Sequence, residues 1–344
     1  MKNSVSRPKL QKYVIFAIAI LVLLLILFFV FRSSFSSEKD YRKTPVEHQD
    51  PLTANYDTDS LDNSTQNLKI KYGYELFVKT AQYIGPQNGR SEKVFTGNNL
   101  ACNNCHLQAG TKPFSGMLIG VTKRFPQYRG RENKIGTIKE RINGCMERSM
   151  NGRKLPGDGP EMDAFVSYLK WLSRFSPKDG KIEGKGFVSV ALPDRAVDLE
   201  HGEQLFSTKC ITCHQKNGQG IPLPEKPGYL YPPLWGKDSY NNGAGMARVI
   251  TAAQFIKGNM PFGTTYRNPQ LSDEESYDLA GYINSMPRPK KTNLDRDFPD
   301  LVKKPVSTPY PPYADSFSVK QHQNGPFQPI MQFYLQKYNL KKSH

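Results

Sequence analysis

The sequence predicts a mainly α-helical protein with two small helical domains in tandem, an N-terminal transmembrane helix before them and an extended C-terminal tail after them. An unbroken apolar run at residues 14–31 indicates the transmembrane helix. Two later segments of the chain have the same layout: an amphipathic helix, a cysteine-histidine motif, a loop-rich middle and a second amphipathic helix. Proline and tyrosine are frequent from residue 287 onward, which indicates extended segments.

Composition limits the classes to which this chain can belong. Its 344 residues suffice for about two domains, and the 38% of hydrophobic and 11% of aromatic residues exclude wholesale disorder. The formal net charge of +16 favours anionic partners, such as small anions, lipid head groups or nucleic acid. The 5 cysteines form two identical pairs with one left over, which argues against a general disulfide framework.

Residues 1–32 are predicted to anchor the protein in the cytoplasmic membrane. A helix over the apolar run can span a hydrocarbon layer of about 30 Å. Four basic residues before it favour a cytoplasmic N-terminus: Lys2, Arg7, Lys9 and Lys12. A cleaved signal peptide is the alternative, although no A-x-A site and no lipobox cysteine follows the run. In both cases the rest of the chain is expected to be extracytoplasmic, on the periplasmic side.

The rest of the chain divides into four segments. Residues 33–67 are polar and without a clear period, and are interpreted as a tether. The two helical domains are predicted at residues 68–185 and 186–290, and a Pro/Tyr-rich tail at residues 291–344 is expected to pack on the domain surface. No strand is predicted. The flanking helices are expected at residues 70–83, 162–175, Leu199–Lys209 and Asp273–Ser285.

Two C-x-x-C-H motifs carry the main chemical signal. They are CNNCH, with Cys102, Cys105 and His106, and CITCH, with Cys210, Cys213 and His214. Two thiols three residues apart can add to the two vinyl groups of a haem, and the adjacent histidine can bind its iron. The sequence therefore predicts two cytochrome c-type domains with two covalently bound haem c groups. A zinc site and thioredoxin-type redox sites are the alternatives, but the immediate histidines and the wide separation of the pairs oppose them.

Met260 is the candidate for the sixth ligand of the second haem. It lies in the segment KGNMP, in a turn between Gly258 and Pro261, and a thioether is a frequent axial ligand of haem c. A role as core filler is the alternative. Lys257 is a competing ligand, and Met246 is a weaker one.

The odd cysteine, Cys145, is the candidate functional residue near the first haem. No methionine occupies a matching Met-Pro turn in the first domain, although Met117, Met146 and Met150 are present. Thr137 and Glu140 form a capping box that predicts the start of a helix. On this helix Arg141, Cys145 and Ser149 share one face because they lie four residues apart.

Positive charge surrounds this cysteine. Residues 123–154 contain ten Lys or Arg and three Asp or Glu, a net charge of +7. Fixed positive charge favours a thiolate, which can bind iron or act as a nucleophile toward sulfur. An inert buried thiol and a solvated basic surface are the alternatives.

From about residue 70 to the C-terminal region, the chain resembles the thiosulfate dehydrogenase (tetrathionate synthase) family of dihaem c-type cytochromes. The resemblance rests on both C-x-x-C-H motifs, on GCMERSMNG at residues 144–152, on the NMP turn, and on PYADSF and GPF in the tail. It implies His106 and Cys145 as axial ligands of a catalytic haem. It implies His214 and Met260 as ligands of a haem that passes electrons onward.

The resemblance also implies active-site roles for Arg131, Arg141 and Ser149, with Gln108 nearby. In some relatives a lysine precedes the methionine and competes for the iron. Asn259 stands at that position here, which favours constant ligation by Met260.

The expected reaction joins two thiosulfate ions into tetrathionate and releases two electrons through the haems to an external acceptor, a cytochrome c or a respiratory complex. Arg131 and Arg141, with Arg148 as a further candidate, would hold the anions while the Cys145 sulfur bonds to thiosulfate. The reverse reaction, tetrathionate reduction, stays open. The alternatives are a membrane-anchored dihaem electron carrier to a respiratory oxidase and a dihaem peroxidase. Nucleic acid is not an expected partner, because the charge surrounds a haem motif in an exported chain.

Overall fold

A computed structural model describes residues 7–35 and 49–342 of the chain, with the side chains of its first helix described over residues 14–28. The chain forms two units, residues 1–48 and residues 49–344. Lys2, the side chains of Arg7, Lys9 and Lys12, and residues 36–48 of the predicted tether lie outside the described part.

The prediction of a transmembrane helix is wrong for the part of the chain that the structure describes. The first unit contains α1 (Arg7–Phe35), but no described helix is both long enough and apolar enough to cross a membrane. The apolar side chains described on α1 run from Val14 to Phe28.

The second unit is mainly helical, as predicted. Its helices are α2 (Thr65–Val78), α3 (Thr80–Ile84), α4 (Ile138–Arg148), α5 (Pro160–Leu172), α6 (Leu199–Lys209), α7 (Ile211–His214), α8 (Val249–Asn259), α9 (Asp273–Ser285), α10 (Val319–Asn324) and α11 (Gln328–Tyr338). The capping box predicted for Thr137 and Glu140 is confirmed, and the structure contains a second capping box. Thr137 and Glu140 begin α4, and Ser272 and Glu275 begin α9, with reciprocal side-chain to backbone hydrogen bonds of 2.7–3.3 Å.

Two crossed helix pairs build the cores of the two domains. In the first domain α2 packs on α5, and in the second α6 packs on α9. A glycine lies at each crossing: a Cβ on Gly73 would be 2.1 Å from the Ala164 carbonyl oxygen, and one on Gly202 would be 2.4 Å from that of Asp278. The helix backbones therefore approach each other more closely than any side chain would permit. This repeated device gives the two domains the same framework.

Apolar side chains fill each domain around its helix pair. The first core buries residues such as Leu76, Phe77, Met162, Phe165 and Tyr168. The second core buries Phe206, Trp235, Ile250, Tyr277 and Ile283, together with residues of the tail.

Two short antiparallel hairpins differ from the prediction that no strand forms. One pairs β1 (Gln127–Arg129) with β2 (Lys134–Gly136), and the other pairs β3 (Ile221–Pro222) with β4 (Tyr229–Tyr231). Strands of two or three residues are too short to show an alternating pattern in the sequence.

The tail packs on the second domain, but it is not extended throughout. It contains α10 and α11, and Phe327, Ile330 and Tyr334 of the tail are buried in the second core. The prediction of an extended tail is corrected in this respect. Proline and tyrosine frequency concealed an amphipathic helix whose apolar side chains complete the core.

Candidate active site

The first C-x-x-C-H segment lies in a turn next to α2 and α3. Cys102 and Cys105 are free thiols, and the Thr80 hydroxyl lies 3.6 Å from Cys102 Sγ. Burial raises the pKa of the Cys105 thiol to about 11. The two thiols are thus held as a neighbouring pair without a disulfide, and covalent attachment to a haem requires such a pair.

The two motif histidines are oriented in the same way. Nδ1 of His106 is 2.7 Å from the carbonyl oxygen of Gly116, and Nδ1 of His214 is 2.9 Å from that of Pro232. A carbonyl oxygen can only accept, so Nδ1 carries the proton in both rings and Nε2 keeps a free lone pair. This is the arrangement of a metal-binding histidine, and it fits the proximal ligand of a haem.

A cavity of about 340 Å³ adjoins His106. Both domains and the tail contribute to its wall. The residues that line it include Cys105, His106, Arg129, Arg131, Glu132, Arg141, Cys145, Arg148, Ser149, Phe187, Met246, Arg248, Phe255 and Phe298. The wall therefore carries five guanidinium groups and a single carboxylate, a composition suited to anions.

Cys145 lies in this cavity on α4. Arg141, one turn earlier on the helix, donates from Nη1 to Cys145 Sγ at 2.8 Å. Burial raises the pKa of the Cys145 thiol, but the positive charge of the neighbouring Arg141 is the largest opposing effect, and the pKa is lowered to about 6. The structure thus brings Cys145, Arg141 and His106 together, and it stabilises a thiolate beside the position where a haem would bind.

Three of the other four arginines of the wall are paired with carboxylates. Arg129 donates two hydrogen bonds to Glu132, at 2.8 and 2.9 Å. Arg131 and Arg148 both donate to Asp297 of the tail, at 2.5 and 2.6 Å. Asp297 therefore balances two arginines of the first domain.

Tyr310 of the tail supports this pairing. Its hydroxyl is 2.9 Å from Arg131 Nη1 and 2.8 Å from Asp297 Oδ2. Burial raises the pKa of Asp297, but Arg131 and Arg148 dominate and hold it below its usual value. Sequence reasoning missed Asp297 and Tyr310, because nothing local in the tail marks them as partners of residues about 150 positions earlier.

Two further residues predicted from the resemblance lie in different surroundings. Ser149 caps the end of α4 and lines the cavity, so the structure brings it to Cys145 and Arg141. Gln108 is exposed in a turn after the first motif and does not line the cavity. The structure therefore does not bring Gln108 to the predicted site.

The comparisons with known proteins identify the fold of both domains. Residues 92–177 match the family described as SoxA/TsdA, cytochrome c domain, and residues 199–287 match the cytochrome c family. The chain is 43% identical to thiosulfate dehydrogenase from Psychrobacter arcticus over 59% of this chain and 61% of that protein. It is also 43% identical to thiosulfate dehydrogenase from Allochromatium vinosum, over 57% of this chain and 72% of that protein. The chain belongs to the thiosulfate dehydrogenase family.

A solved structure of the family agrees with this membership. The thiosulfate dehydrogenase (TsdBA) from Marichromatium purpuratum superposes with a TM-score of 0.62 and 33% identity, over 68% of this chain and 49% of that chain. This chain thus spans about half of that protein. Within thiosulfate dehydrogenases, two cytochrome c domains imply two haem c groups, one for each C-x-x-C-H motif found here.

Among the described residues, no group of three or more His, Cys, Asp or Glu side chains is arranged to hold a metal ion. The zinc alternative therefore receives no support from the geometry of the two cysteine pairs.

In the second cytochrome c domain, Met260 directly follows α8 and packs against the core that Cys210 also contacts. The two competing ligands have other surroundings. Lys257 forms an ion pair with Asp273 at 2.5 Å, and Met246 lines the cavity near His106. Met117, Met146 and Met150 are buried and at most 3% exposed, with Met146 and Met150 in the first core. Met260 thus remains the candidate ligand to the second haem.

Asn259 joins the two domains next to this methionine. Its amide Nδ2 donates to the carbonyl oxygens of Phe114 and Phe255, both at 3.0 Å. Phe114 belongs to the same loop as Gly116, the residue that orients His106. The loop beside the first histidine and the segment that carries Met260 are thus in direct contact.

Proposed function

We propose that this chain oxidises thiosulfate, joins two of these ions into tetrathionate and passes two electrons onward. The contact of Cys145 Sγ with Arg141, beside His106 in an arginine-lined cavity, carries this proposal. The names of the curated relatives support thiosulfate as the substrate. The cytochrome c domains support an extracytoplasmic location.

We assign haem attachment to the two cysteine pairs, with His106 and Cys145 as ligands of the first haem and His214 and Met260 as ligands of the second. When bound, the two haem c groups supply two one-electron acceptors, which match the two electrons that the reaction releases. An external acceptor, a cytochrome c or a respiratory complex, then takes the electrons.

Cys145 acts as the sulfur nucleophile in this proposal. Its thiolate and the outer sulfur of one thiosulfate form an S–S bond, and this step releases two electrons. The terminal sulfur of a second thiosulfate then attacks the adduct sulfur that is bonded to Cys145 Sγ; the Sγ–S bond breaks, tetrathionate leaves and the Cys145 thiolate is restored. Run backward, the same two steps reduce tetrathionate.

The arginines of the cavity offset the charge of the two dianions. Arg141 is nearest to the reacting sulfur, and Arg131 lines the same wall while Asp297 fixes one of its nitrogens. Guanidinium groups bind sulfonate oxygens with two parallel hydrogen bonds, which holds the sulfur atoms in position for attack. A simple electron carrier would have no use for this arrangement around a thiolate.

Substitution of the nucleophile tests the proposal. Cys145→Ala is expected to lower thiosulfate-dependent ferricyanide reduction by about 100-fold or more, because the S–S bond can no longer form. Haem content measured on the same sample should remain two per chain. Full turnover in a variant that retains both haems would refute the role of Cys145 and leave the electron-carrier alternative.

A further inference from the structure

Arg248 differs from every other arginine of the cavity wall. It is the residue before α8, so it reaches the cavity from the second domain, whereas Arg129, Arg131, Arg141 and Arg148 belong to the first. No local sequence pattern marks Arg248, because it lies far along the chain from the basic segment around Cys145.

Its guanidinium lacks a counter-charge in the described part of the chain. Arg129 is paired with Glu132, Arg131 and Arg148 with Asp297, and Arg141 contacts Cys145. The hydrogen bond found for the Arg248 side chain is a long one of 3.4 Å from Nε to the carbonyl oxygen of its near neighbour Gly245.

A guanidinium that is removed from water without a paired anion raises the free energy of the folded protein. Burial is the main cause that lowers the pKa of Arg248, to about 10, and the charges of Arg131 and Arg141 add to the effect. The guanidinium stays protonated near neutral pH and keeps most of its donors for a bound anion.

We propose that Arg248 binds the sulfonate group of thiosulfate in the Cys145 cavity. This inference rests on the proposed function and deepens it. The first domain provides the thiolate and Arg141, and the second domain provides the opposing cation that holds the substrate. Arg248 is thus a substrate-binding residue, and the site is complete only when both domains are present.

The experiment compares three variants of the holoprotein: Arg248→Gln, Arg248→Lys and Arg267→Gln. Arg267 is the matched control, because it is an exposed arginine of the second domain outside the cavity that stacks on Tyr266. The measurements are KM and kcat for thiosulfate, the inhibition constant of sulfate as a non-reacting dianion, the absorption spectrum of the first haem and the haem content.

Arg248→Gln is expected to raise both KM and the sulfate inhibition constant by about 10- to 100-fold, the effect of losing a charge-assisted hydrogen bond pair. Arg248→Lys should recover part of the loss, and Arg267→Gln should match the wild type. The absorption spectrum of the first haem and the haem content should not change.

Two results would overturn the inference. In one, KM and the sulfate constant stay at wild-type values in Arg248→Gln. In the other, haem is lost or the absorption spectrum of the first haem changes, which would show that Arg248 binds a haem propionate instead. Wild-type protein that binds sulfate through Arg248 but does not oxidise thiosulfate would contradict the proposed function, so the two failures are distinguishable.

Discussion

The contacts of individual side chains help to distinguish candidate haem ligands from other residues of the same type. Cys145 is bound by Arg141, while the nearby methionines are buried. Lys257, the competitor of Met260, is held by Asp273. The neighbours of each residue thus reduce the number of candidate haem ligands that residue type alone would allow.

Ligation of the second haem can be tested at this scale. Lys257→Gln is expected to leave the absorption spectrum of the second haem unchanged, because the ammonium group of Lys257 is already paired with the Asp273 carboxylate. Met260→Ala should change both the absorption spectrum and the potential of this haem, since the thioether ligand is lost. A lysine-type spectrum that disappears in Lys257→Gln would contradict this prediction.

At the residue scale, the sequence predicted much of the site. The spacing of four residues between Arg141 and Cys145 places them on one helix face, and their contact in the structure follows from that spacing. The partners of Arg131 and Arg148 could not be predicted, because Asp297 meets them only through the packing of the tail. Arg248 was missed for the same reason, since it enters from another domain.

The core of each domain is built around one contact between two helices. Gly73 and Gly202 allow α2 and α6 to contact α5 and α9 backbone to backbone. The amphipathic pattern predicted the flanking helices but not the point where they cross. A glycine within a helix can occur for several reasons, so it does not by itself indicate a close contact between two helices. The short hairpins could not be predicted, because strands of two or three residues are too short to show an alternation of apolar and polar residues.

Gly202→Ala is expected to destabilise the second domain by about 2 kcal/mol or more, because its Cβ would overlap the Asp278 carbonyl and force the helices apart. Gly157→Ala is the control, since an added Cβ there has no neighbour within 4 Å. Its effect should lie within about 0.5 kcal/mol. Chemical denaturation of the holoprotein measures both, and equal stability of the two variants would disprove the importance of the crossing.

Both cytochrome c domains and the tail are required to build the cavity. Cys145 and Arg141 come from the first domain, Arg248 from the second and Phe298 from the tail. Asp297, which does not line the cavity, neutralises the charges of Arg131 and Arg148. Matching halves were evident in the sequence, but their mutual packing depends on side-chain contacts such as Asn259 with Phe114.

Asp297→Asn is expected to lower the free energy of unfolding by about 3 kcal/mol at neutral pH, because buried Arg148 and partly buried Arg131 lose their shared counter-charge. Asp300→Asn is the control, since the Asp300–Lys303 pair is partly exposed and should contribute less than about 1 kcal/mol. Denaturant titrations of wild type and both variants provide the comparison.

The pH dependence gives a second measure of Asp297. Its pKa is lower in the folded protein than the usual value of 3.8, so its contribution is present above that value and is lost as the pH falls through the folded pKa. The stability difference between wild type and Asp297→Asn should therefore be constant from pH 5 to 7 and shrink below about pH 4. A difference that persists at acidic pH would show that the charge is not its origin.

The pairing of Arg131 and Arg148 with Asp297 also bears on how the protein matures. The ribosome completes the first domain well before it reaches residue 297, so a nascent chain displays two guanidiniums whose counter-ion has not yet been synthesised. A chain that ends before residue 297 would therefore leave Arg131 and Arg148 without their shared carboxylate and would lack the part of the cavity wall that Phe298 provides.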